Sequence, residues 1–360
     1  MKSEAISGWP KEFRLGGRLV GAGHPVYIIA EAGVNHNGQL GLAKKLIDAA
    51  CEAGADAVKF QTFKAENLNT RSAPKAAYHI ETTGSDAEQS WFELLKTQEL
   101  TAEMHRELID YAGDKGIEFL STPYDEESLE LLDSVGVHAF KIASTEANNL
   151  PFLSNVAGRG KPVLFSTAMS TMAEIRDSVS VLSGAGCREL VVMHCTGNYP
   201  AKLSDTNMRA MTTIRDELDV LVGYSDHSTE FVNPVLAVAL GAVVFERHIT
   251  LDKALPGPDH RMALTPDELK LTVSLIRGTE MALGSRVKDV LASEHETRLR
   301  LRKSLVAARD LEAGTILSPE DVAIKRPGTG LTPALYHQLL GRKAVRFLPA
   351  NTLLSWDDIE

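Results

Sequence analysis

Eight short apolar runs recur between residues 26 and 248 of this 360-residue chain, and an amphipathic or polar stretch follows each of them. The runs are rich in Val, Ile, Leu and Phe along their whole length, which is typical of parallel strands buried on both faces. Such strands need helices on both sides of the sheet, so the pattern strongly limits the possible folds. The runs are residues 26–31, 55–61, 117–122, 139–144, 162–167, 190–195, 220–224 and 242–248.

Helical spacing of apolar residues separates the runs, and three of these stretches end directly before a glycine, a common helix C-cap. The three stretches are residues 40–53, 101–115 and 265–283. Eight alternating strand–helix units predict an α/β fold of the (β/α)8 TIM-barrel type. A doubly wound open sheet is the alternative, but the EAGVNHNG sequence that follows the first run lacks the glycine pattern GxGxxG of that fold.

The composition changes after residue 284 and predicts a second domain. Residues 285–300 are highly charged and indicate a helical linker. Residues 301–360 contain short apolar segments separated by turn-forming sequences such as EAGT, SPED and RPGTG, which predicts a small, mostly β domain. We therefore expect an N-terminal extension at 1–19, a barrel domain at 20–284, the linker, and the small domain.

The net charge of −10 and the pI of about 5.6 argue against a nucleic acid or an anionic membrane as partner. No signal-peptide-like segment and no apolar stretch of membrane-spanning length is present. The three cysteines form no CxxC pair, so reduced thiols in a cytoplasm are the simplest interpretation. We expect a cytoplasmic protein.

Polar residues end nearly every apolar run. In a (β/α)8 barrel the catalytic groups lie at the carboxyl ends of the strands, where the following loops begin. Side chains alternate between the two faces of a strand, so polar residues at positions i and i+2 lie on the same face. The pairs with this spacing are Lys59 and Gln61, Ser225 and His227, and Glu246 and His248. The polar residues at these ends are Glu31, Lys59, Gln61, Thr122, Lys141, Ser144, Ser166, His194, Ser225, His227, Glu246 and His248.

Two of these residues are lysines inside apolar runs, where an unpaired charge is costly. Lys59 and Lys141 at one barrel mouth indicate a bound anion such as a phosphate. Structural ion pairs with Glu31 or Glu246 are the alternative, and both interpretations can hold together.

His227 and His248 end the last two predicted strands, which are neighbours in a closed barrel. Imidazole nitrogens from adjacent strand ends can share one divalent metal ion and leave positions open for substrate oxygens. Glu246 and Asp259 are candidates for a further ligand or for orienting the imidazoles. A phosphate site beside a Lewis acid suits an aldol-like addition or a phosphoenol condensation.

The chain resembles the sialic acid synthase family from about residue 20 to its C-terminus. The resemblance rests on the combination of IAEAGVNHNG, AVKFQTF, FLSTPYD, KIASTEANN, LFSTAMS, HCTGNYP, GYSDHS, ERHITLDKALPGPDH and KRPGTG. It implies a (β/α)8 barrel followed by an antifreeze-like (SAF) domain. It also implies a homodimer with a domain swap, in which the small domain of one subunit covers the active site of the other.

The resemblance also assigns site residues. It implies that His227 and His248 bind a divalent ion, with Mn²⁺ expected and Mg²⁺ or Co²⁺ as alternatives. Around phosphoenolpyruvate it places Lys59, Thr122, Lys141, Ser144, Ser166, Tyr199 and Ser225. Around the acceptor sugar and the metal it places Glu31, Gln61, Glu246 and Asp259, and Arg326 would contact the sugar's N-acyl group across the dimer.

Of these residues we expect Glu31, Lys59, Lys141, His227 and His248 to be catalytic. One position departs from part of the family, because Gly197 stands where some members have Asn, with Asn198 adjacent.

The implied reaction condenses phosphoenolpyruvate with N-acetylmannosamine or a related acetamido hexose and water. The products are a nine-carbon sialic acid of the N-acetylneuraminate or legionaminate type and phosphate. A pseudaminate synthase and a phosphoenolpyruvate-dependent aldose-phosphate synthase are the enzyme alternatives. A glycan- or ice-binding protein is the non-enzyme alternative, but it leaves the polar strand ends unexplained.

Overall fold

The computed structural model describes residues 8–85 and 88–360, which divide into two compact units, the first ending at Gly284 and the second spanning Ser285–Glu360. The strands are β1 (Glu12–Leu15), β2 (Arg18–Gly21), β3 (Tyr27–Gly33), β4 (Ala57–Thr62), β5 (Glu118–Pro123), β6 (Phe140–Ile142), β7 (Val163–Ser166), β8 (Leu190–Cys195), β9 (Leu221–Asp226), β10 (Val244–His248), β11 (Ser304–Ala307) and β12 (Val322–Lys325).

The helices are α1 (Leu40–Ala53), α2 (Ala65–Leu68), α3 (Ala77–Thr83), α4 (Trp91–Gln98), α5 (Ala102–Lys115), α6 (Glu126–Ser134), α7 (Leu150–Ala157), α8 (Met172–Gly184), α9 (Ala210–Leu218), α10 (Val232–Ala239), α11 (Pro266–Leu283), α12 (His295–Leu301) and α13 (Tyr336–Leu339). Gly54 follows α1 in the left-handed conformation, and Thr101 caps α5 by accepting a hydrogen bond from the backbone of Met104.

The first unit is built on eight parallel strands, and each coincides with one predicted apolar run. The strands are hydrogen-bonded in the order β5-β4-β3-β10-β9-β8-β7-β6. Because β5 and β6 also lie against each other, the sheet curves into a nearly closed barrel surrounded by helices. The predicted (β/α)8 fold is therefore confirmed.

A hairpin formed by β1 and β2 precedes the barrel. Its side chains Phe13, Leu15 and Val20 pack with the inward-facing residues of the barrel strands, including Tyr27 and Leu120. Burying each of these side chains stabilises the fold by about 1.5–3 kcal/mol. The hairpin thus contributes to the interior core, and the expected boundary between residues 19 and 20 falls inside β2.

A long segment joins β4 to α5. This β4–α5 segment, residues 63–101, carries α2, α3 and α4 and has a small apolar cluster in which Phe63, Ala65 and Leu95 are buried with Val34. It follows the carboxyl end of a barrel strand, where the functional loops of this fold lie.

The second unit contains the antiparallel pair β11–β12 and isolated bridges around its own core of Leu, Val, Ala and Ile side chains. The same set of contacts occurs twice in this unit: an arginine bonds to an aspartate, which accepts hydrogen bonds from a serine three residues before it. Arg309 bonds to Asp321, which accepts hydrogen bonds from Ser318, and Arg346 bonds to Asp358, which accepts from Ser355. The small predicted domain is thus mainly turns and short strands.

In the part of the chain that the structure describes, no helix is long and apolar enough to cross a membrane.

Candidate active site

A cavity of about 860 Å³ lies at the carboxyl ends of the barrel strands. It brings together all but two, His194 and Arg326, of the candidate site residues from the sequence. Those in the cavity are Glu31, Lys59, Gln61, Thr122, Lys141, Ser144, Ser166, Tyr199, Ser225, His227, Glu246, His248 and Asp259. Arg326 belongs to the second unit and is exposed, and it makes no ion pair with any described residue.

Two buried lysines and two buried glutamates form the polar floor of the cavity. Nζ of Lys59 lies 2.7 Å from Oε2 of Glu31 and donates a hydrogen bond of 3.0 Å to Thr122. Nζ of Lys141 lies 3.5 Å from Oε1 of Glu246 and donates a 2.6 Å hydrogen bond to Ser166. The lysines thus have carboxylate partners, and they also line the cavity, where the expected anion would bind.

The glutamates differ in proton affinity. Burial, reinforced by the nearby charge of Glu246 and opposed by Lys59, raises the pKa of Glu31 to about 7. Burial also acts to raise the pKa of Glu246, but Lys141 and Lys59 outweigh it and lower that pKa. Burial lowers the pKa of Lys141. The floor therefore contains one carboxyl that can hold a proton near neutral pH beside one that stays ionised.

The backbone at the end of β3 takes a left-handed conformation beside these groups, with a φ of 53° at Gly33. The hydrogen-bond register between β3 and β4 also shifts at this glycine. A Cβ there would lie at ordinary van der Waals distances, 3.4 Å from Glu31 Oε1 and 3.5 Å from His248 Cε1, so the positive φ is the property that favours glycine.

His227 and His248 face each other with ring centroids 5.7 Å apart. Nδ1 of His227 donates a 2.6 Å hydrogen bond to the carbonyl oxygen of Thr196, which leaves Nε2 as the acceptor nitrogen. Burial lowers the pKa of both imidazoles. Both rings are therefore neutral, which is the form that binds metals.

This donor set fits a divalent metal ion. Nδ1 of His248 is buried without a hydrogen-bond partner, and it lies 3.8 Å from Oδ2 of Asp259. Within residues 8–85 and 88–360 there is no cluster of three or more His, Cys, Asp or Glu side chains arranged to hold a metal. The site is therefore better described as an open metal site, with two imidazoles and free positions for oxygen ligands, than as a closed structural metal site.

Sequence reasoning missed several residues that line the cavity, among them Tyr78, Trp91, Tyr124, Glu146 and Cys195. Tyr124 was detectable, because it follows Thr122 closely at the end of β5. Tyr78 and Trp91 lie in the β4–α5 segment and carry no strand-end signal.

His194 was expected among the polar strand ends, but it bonds through Nε2 to the carbonyl of Thr206 and does not line the cavity. Its neighbour Cys195 does, because adjacent residues of a strand face opposite sides.

Comparison with known proteins places this site in a family. The profile of the NeuB family matches residues 46–288, and that of the SAF domain matches residues 302–360. This chain belongs to the NeuB family. It is 44% identical to the N,N'-diacetyllegionaminic acid synthase of Legionella pneumophila over 94% of this chain and 96% of that protein.

Other members of the NeuB family match over most of their length. Human N-acetylneuraminate-9-phosphate synthase is 37% identical over 91% of each chain. The crystal structure of N-acetylneuraminic acid synthetase from Leptospira borgpetersenii, in complex with citrate, has a TM-score of 0.70 and 33% identity, covering 80% of this chain and 95% of that one.

Proposed function

We propose that this NeuB-family chain condenses phosphoenolpyruvate with an uncharged acetamido hexose and water, giving a nine-carbon sialic-acid-type sugar and phosphate. The observation that carries the proposal is the convergence of Lys59 and Lys141 with His227 and His248 on one cavity. Two cations suit a phosphoryl group, and two neutral imidazoles suit a carbonyl-activating metal. We place the reaction in the cytoplasm, where Cys51, Cys187 and Cys195, all free, stay reduced.

The lysine side of the cavity is the proposed phosphoenolpyruvate site. Lys59 and Lys141 are almost fully buried, and the hydroxyls of Thr122 and Ser166 accept their hydrogen bonds. A phosphate oxygen can take over these lysine donors while the hydroxyls turn to donate to it. Ser144 and Ser225 line the same cavity and can add donors.

His227 and His248 are the proposed metal ligands, with Asp259 beside His248. A bound divalent ion, expected to be Mn²⁺ with Mg²⁺ or Co²⁺ as alternatives, supplies a Lewis acid that polarises the acceptor's aldehyde. The carbonyl of Thr196 fixes the His227 ring through Nδ1, which directs the other nitrogen into the cavity.

The chain's own residues hold the reactants and the protons. The enol carbon of phosphoenolpyruvate bonds to the aldehyde carbon, whose oxygen takes a proton. Water then adds to C2, and phosphate departs with the bridging oxygen. Glu31 is oriented by a 3.2 Å hydrogen bond from Gln61 and is the proposed group that holds the proton during these steps.

The charges that line the cavity favour an uncharged acceptor. Among the described lining residues, the cationic side chains are Lys59 and Lys141, while burial lowers the pKa of His79 to about 4. Glu146 and Asp259 add carboxyl groups near the mouth. With Lys59 and Lys141 assigned to phosphoenolpyruvate, a phosphorylated acceptor would bring a second dianion for which the described lining of the cavity offers no further lysine or arginine, which is unfavourable. This argues against an aldose-phosphate synthase.

Phosphate release with a panel of acceptors tests the function. We expect turnover with N-acetylmannosamine or a 2,4-diacetamido-6-deoxy hexose. Phosphorylated aldoses should give less than a hundredth of that rate. A preference for a phosphorylated aldose, or no phosphate release with any acetamido hexose in the presence of Mn²⁺, would overturn the proposal.

We further propose a homodimer in which the second unit of each protomer covers its partner's cavity and contributes Arg326. Support comes from a run of exposed apolar side chains, which need a partner surface. They are Met281, Leu283, Val287, Leu291, Leu299 and Leu301.

Mixing a His248→Ala protein with an Arg326→Ala protein after reversible dissociation tests the swap. Mixed dimers of swapped subunits contain one site with both residues intact, so activity should return. If each chain used its own Arg326, mixing would restore no activity.

A further inference from the structure

Five aromatic rings form a continuous series of contacts from the β4–α5 segment to a proposed metal ligand. Tyr199 stacks on His227 with ring centroids 4.1 Å apart, and Tyr78 stacks on Tyr199 at 5.3 Å, with the ring planes only 22° apart. His79, tilted by 55° against Tyr78, and then Trp91 continue the series at 4.1 Å each. Tyr78 therefore connects this segment to the barrel's histidine pair through Tyr199.

Side-chain contacts hold α3 in place: Tyr78 stacks on Tyr199, His79 stacks on Trp91, and Lys75 bonds to the carbonyl oxygens of Thr83 and Gly84. In the described structure α3 has no buried residue, and Tyr78 at its second position is half-buried in the cavity wall. Trp91 in turn packs against the small core of the β4–α5 segment that contains Phe63 and Leu95. The Tyr78–Tyr199 stack is the contact that joins α3 to the tyrosine beside His227.

Tyr199 in turn contacts the histidine directly. Its hydroxyl lies 3.2 Å from Nε2 of His227, the nitrogen left free by the bond from Nδ1 to Thr196. A tyrosine ring that can rock away from the imidazole would leave this nitrogen less well directed. The stacked Tyr78 ring restricts that movement.

We propose that Tyr78 is a positioning residue for the acceptor half of the site. It holds the Tyr199 ring against His227 and makes the β4–α5 segment a wall of the acceptor pocket. This inference rests on the proposed condensation reaction. The two lysines of the phosphoenolpyruvate half do not depend on the stack, because they are held by Glu31, Thr122, Ser166 and Glu246. Of the five rings, only Tyr199 is expected from the resemblance to lie near phosphoenolpyruvate.

Steady-state kinetics of Tyr78→Ala and Tyr78→Phe test the proposal. An aromatic pair contributes about 0.5–1.5 kcal/mol, so we expect Tyr78→Ala to raise the acceptor KM about two- to tenfold and to change the phosphoenolpyruvate KM less than twofold. Tyr78→Phe keeps the stack and should stay within twofold of wild type for both constants. Tyr111→Ala is the matched control and should change neither constant, because this half-buried tyrosine on α5 bonds to Asp48 of α1 and does not line the cavity.

A second measurement does not depend on turnover. In metal-free protein with ¹³C-labelled histidine, the Cε1–H signal of His227, assigned with His227→Gln, reports the stacked Tyr199 ring through its ring-current shift. We expect Tyr78→Ala to move this signal and Tyr78→Phe to leave it in place. Failure of the wild type to turn over any acetamido hexose would sink the proposed function but leave this test intact.

Three results would overturn the inference. One is an unmoved His227 signal in Tyr78→Ala. Another is an equal rise of both KM values in that variant, which indicates a general loss of structure. The third is a Tyr78→Phe variant as impaired as Tyr78→Ala, which would assign the effect to the hydroxyl.

Discussion

Arg247 and Asp226 form a buried ion pair, 3.1 Å long, between register partners on β10 and β9. Each immediately precedes one of the two histidines, and since adjacent strand residues face opposite sides, the ion pair lies outside the barrel while His248 and His227 lie inside. Arg247 also donates hydrogen bonds to the carbonyls of Ser228 and Glu230. The ion pair therefore aligns β9 and β10 at their carboxyl ends, directly beside the two proposed metal ligands.

Arg247→Met should lower the free energy of unfolding by about 3–5 kcal/mol, because it leaves the buried carboxylate of Asp226 without its charged partner. Urea denaturation measures this loss. Adding Asp226→Asn to Arg247→Met removes the unpaired charge and should recover part of the stability. An Arg247→Met protein within about 1 kcal/mol of wild type would contradict a structural role for the pair.

His248→Ala should abolish turnover without unfolding the protein. Lewis-acid stabilisation is worth several kcal/mol, so we expect phosphate release to fall by about a thousandfold. The thermal midpoint should change little, because Nδ1 of His248 makes no hydrogen bond in the described structure. His138→Ala, which removes an exposed histidine bound to Glu118, is the control. Turnover at the wild-type level in His248→Ala would refute the ligand assignment.

Removal of divalent metal by a chelator should stop phosphate release, and Mn²⁺ should restore it. Calorimetric titration of the stripped protein should show one site per chain, and His227→Ala should weaken that binding at least tenfold, since it removes one of two proposed protein ligands. Full activity in the stripped protein would exclude the metal-assisted reaction.

Lys141→Met should raise the phosphoenolpyruvate KM about 10- to 100-fold, because a charge-assisted hydrogen bond contributes about 1.5–3 kcal/mol. The acceptor KM should change much less. Lys161→Met provides a control, since Lys161 pairs with Asp133 outside the cavity. An unchanged phosphoenolpyruvate KM would place the phosphate elsewhere.

The second unit should lose stability in acid through Asp321 and Asp358. Burial acts to raise the pKa of each, but hydrogen bonds from Ser318 and Ser355 and the partners Arg309 and Arg346 lower it below the ordinary value. Groups with a lowered native pKa stabilise the fold above the unfolded value of about 3.9, and this stability is lost as the pH falls through the native pKa.

Hydrogen exchange of peptides from 304–325, corrected for the intrinsic exchange rate, measures this effect. Protection should be constant above about pH 5 and fall below pH 4. Asp321→Asn should lower protection at pH 7 and flatten its pH dependence. The same pH dependence in Asp321→Asn as in wild type would show that this carboxylate is not responsible.

Much of the fold followed from local pattern. The eight apolar runs became the eight strands because strands buried on both faces require apolar side chains at every position. Thr101 and Gly54 allowed the start of α5 and the end of α1 to be predicted, because the hydrogen bonds that cap a helix join residues only three to five positions apart. The small β1–β2 hairpin was not predicted, because its apolar residues Phe13, Leu15 and Val20 gain their partners only when the barrel interior exists.

The candidate site followed in part from the same pattern. Strand-end position and alternation placed Lys59, Lys141, His227 and His248 on one side, since both properties are local. The same reasoning could not find Tyr78, because a residue in a long connection is placed by tertiary contacts rather than by the register of a strand. It also could not decide which of His194 and Cys195 faces the cavity.

The sequence by itself determined the order of strands and helices, the polar residues at strand ends and the family to which the chain belongs, because each is encoded in residue type and short-range spacing. Only the tertiary structure decided which carboxylate pairs with which lysine, how far His227 lies from His248, and that Tyr78 reaches Tyr199. Those relationships join residues far apart in the chain, and barrel closure and side-chain packing set their distances.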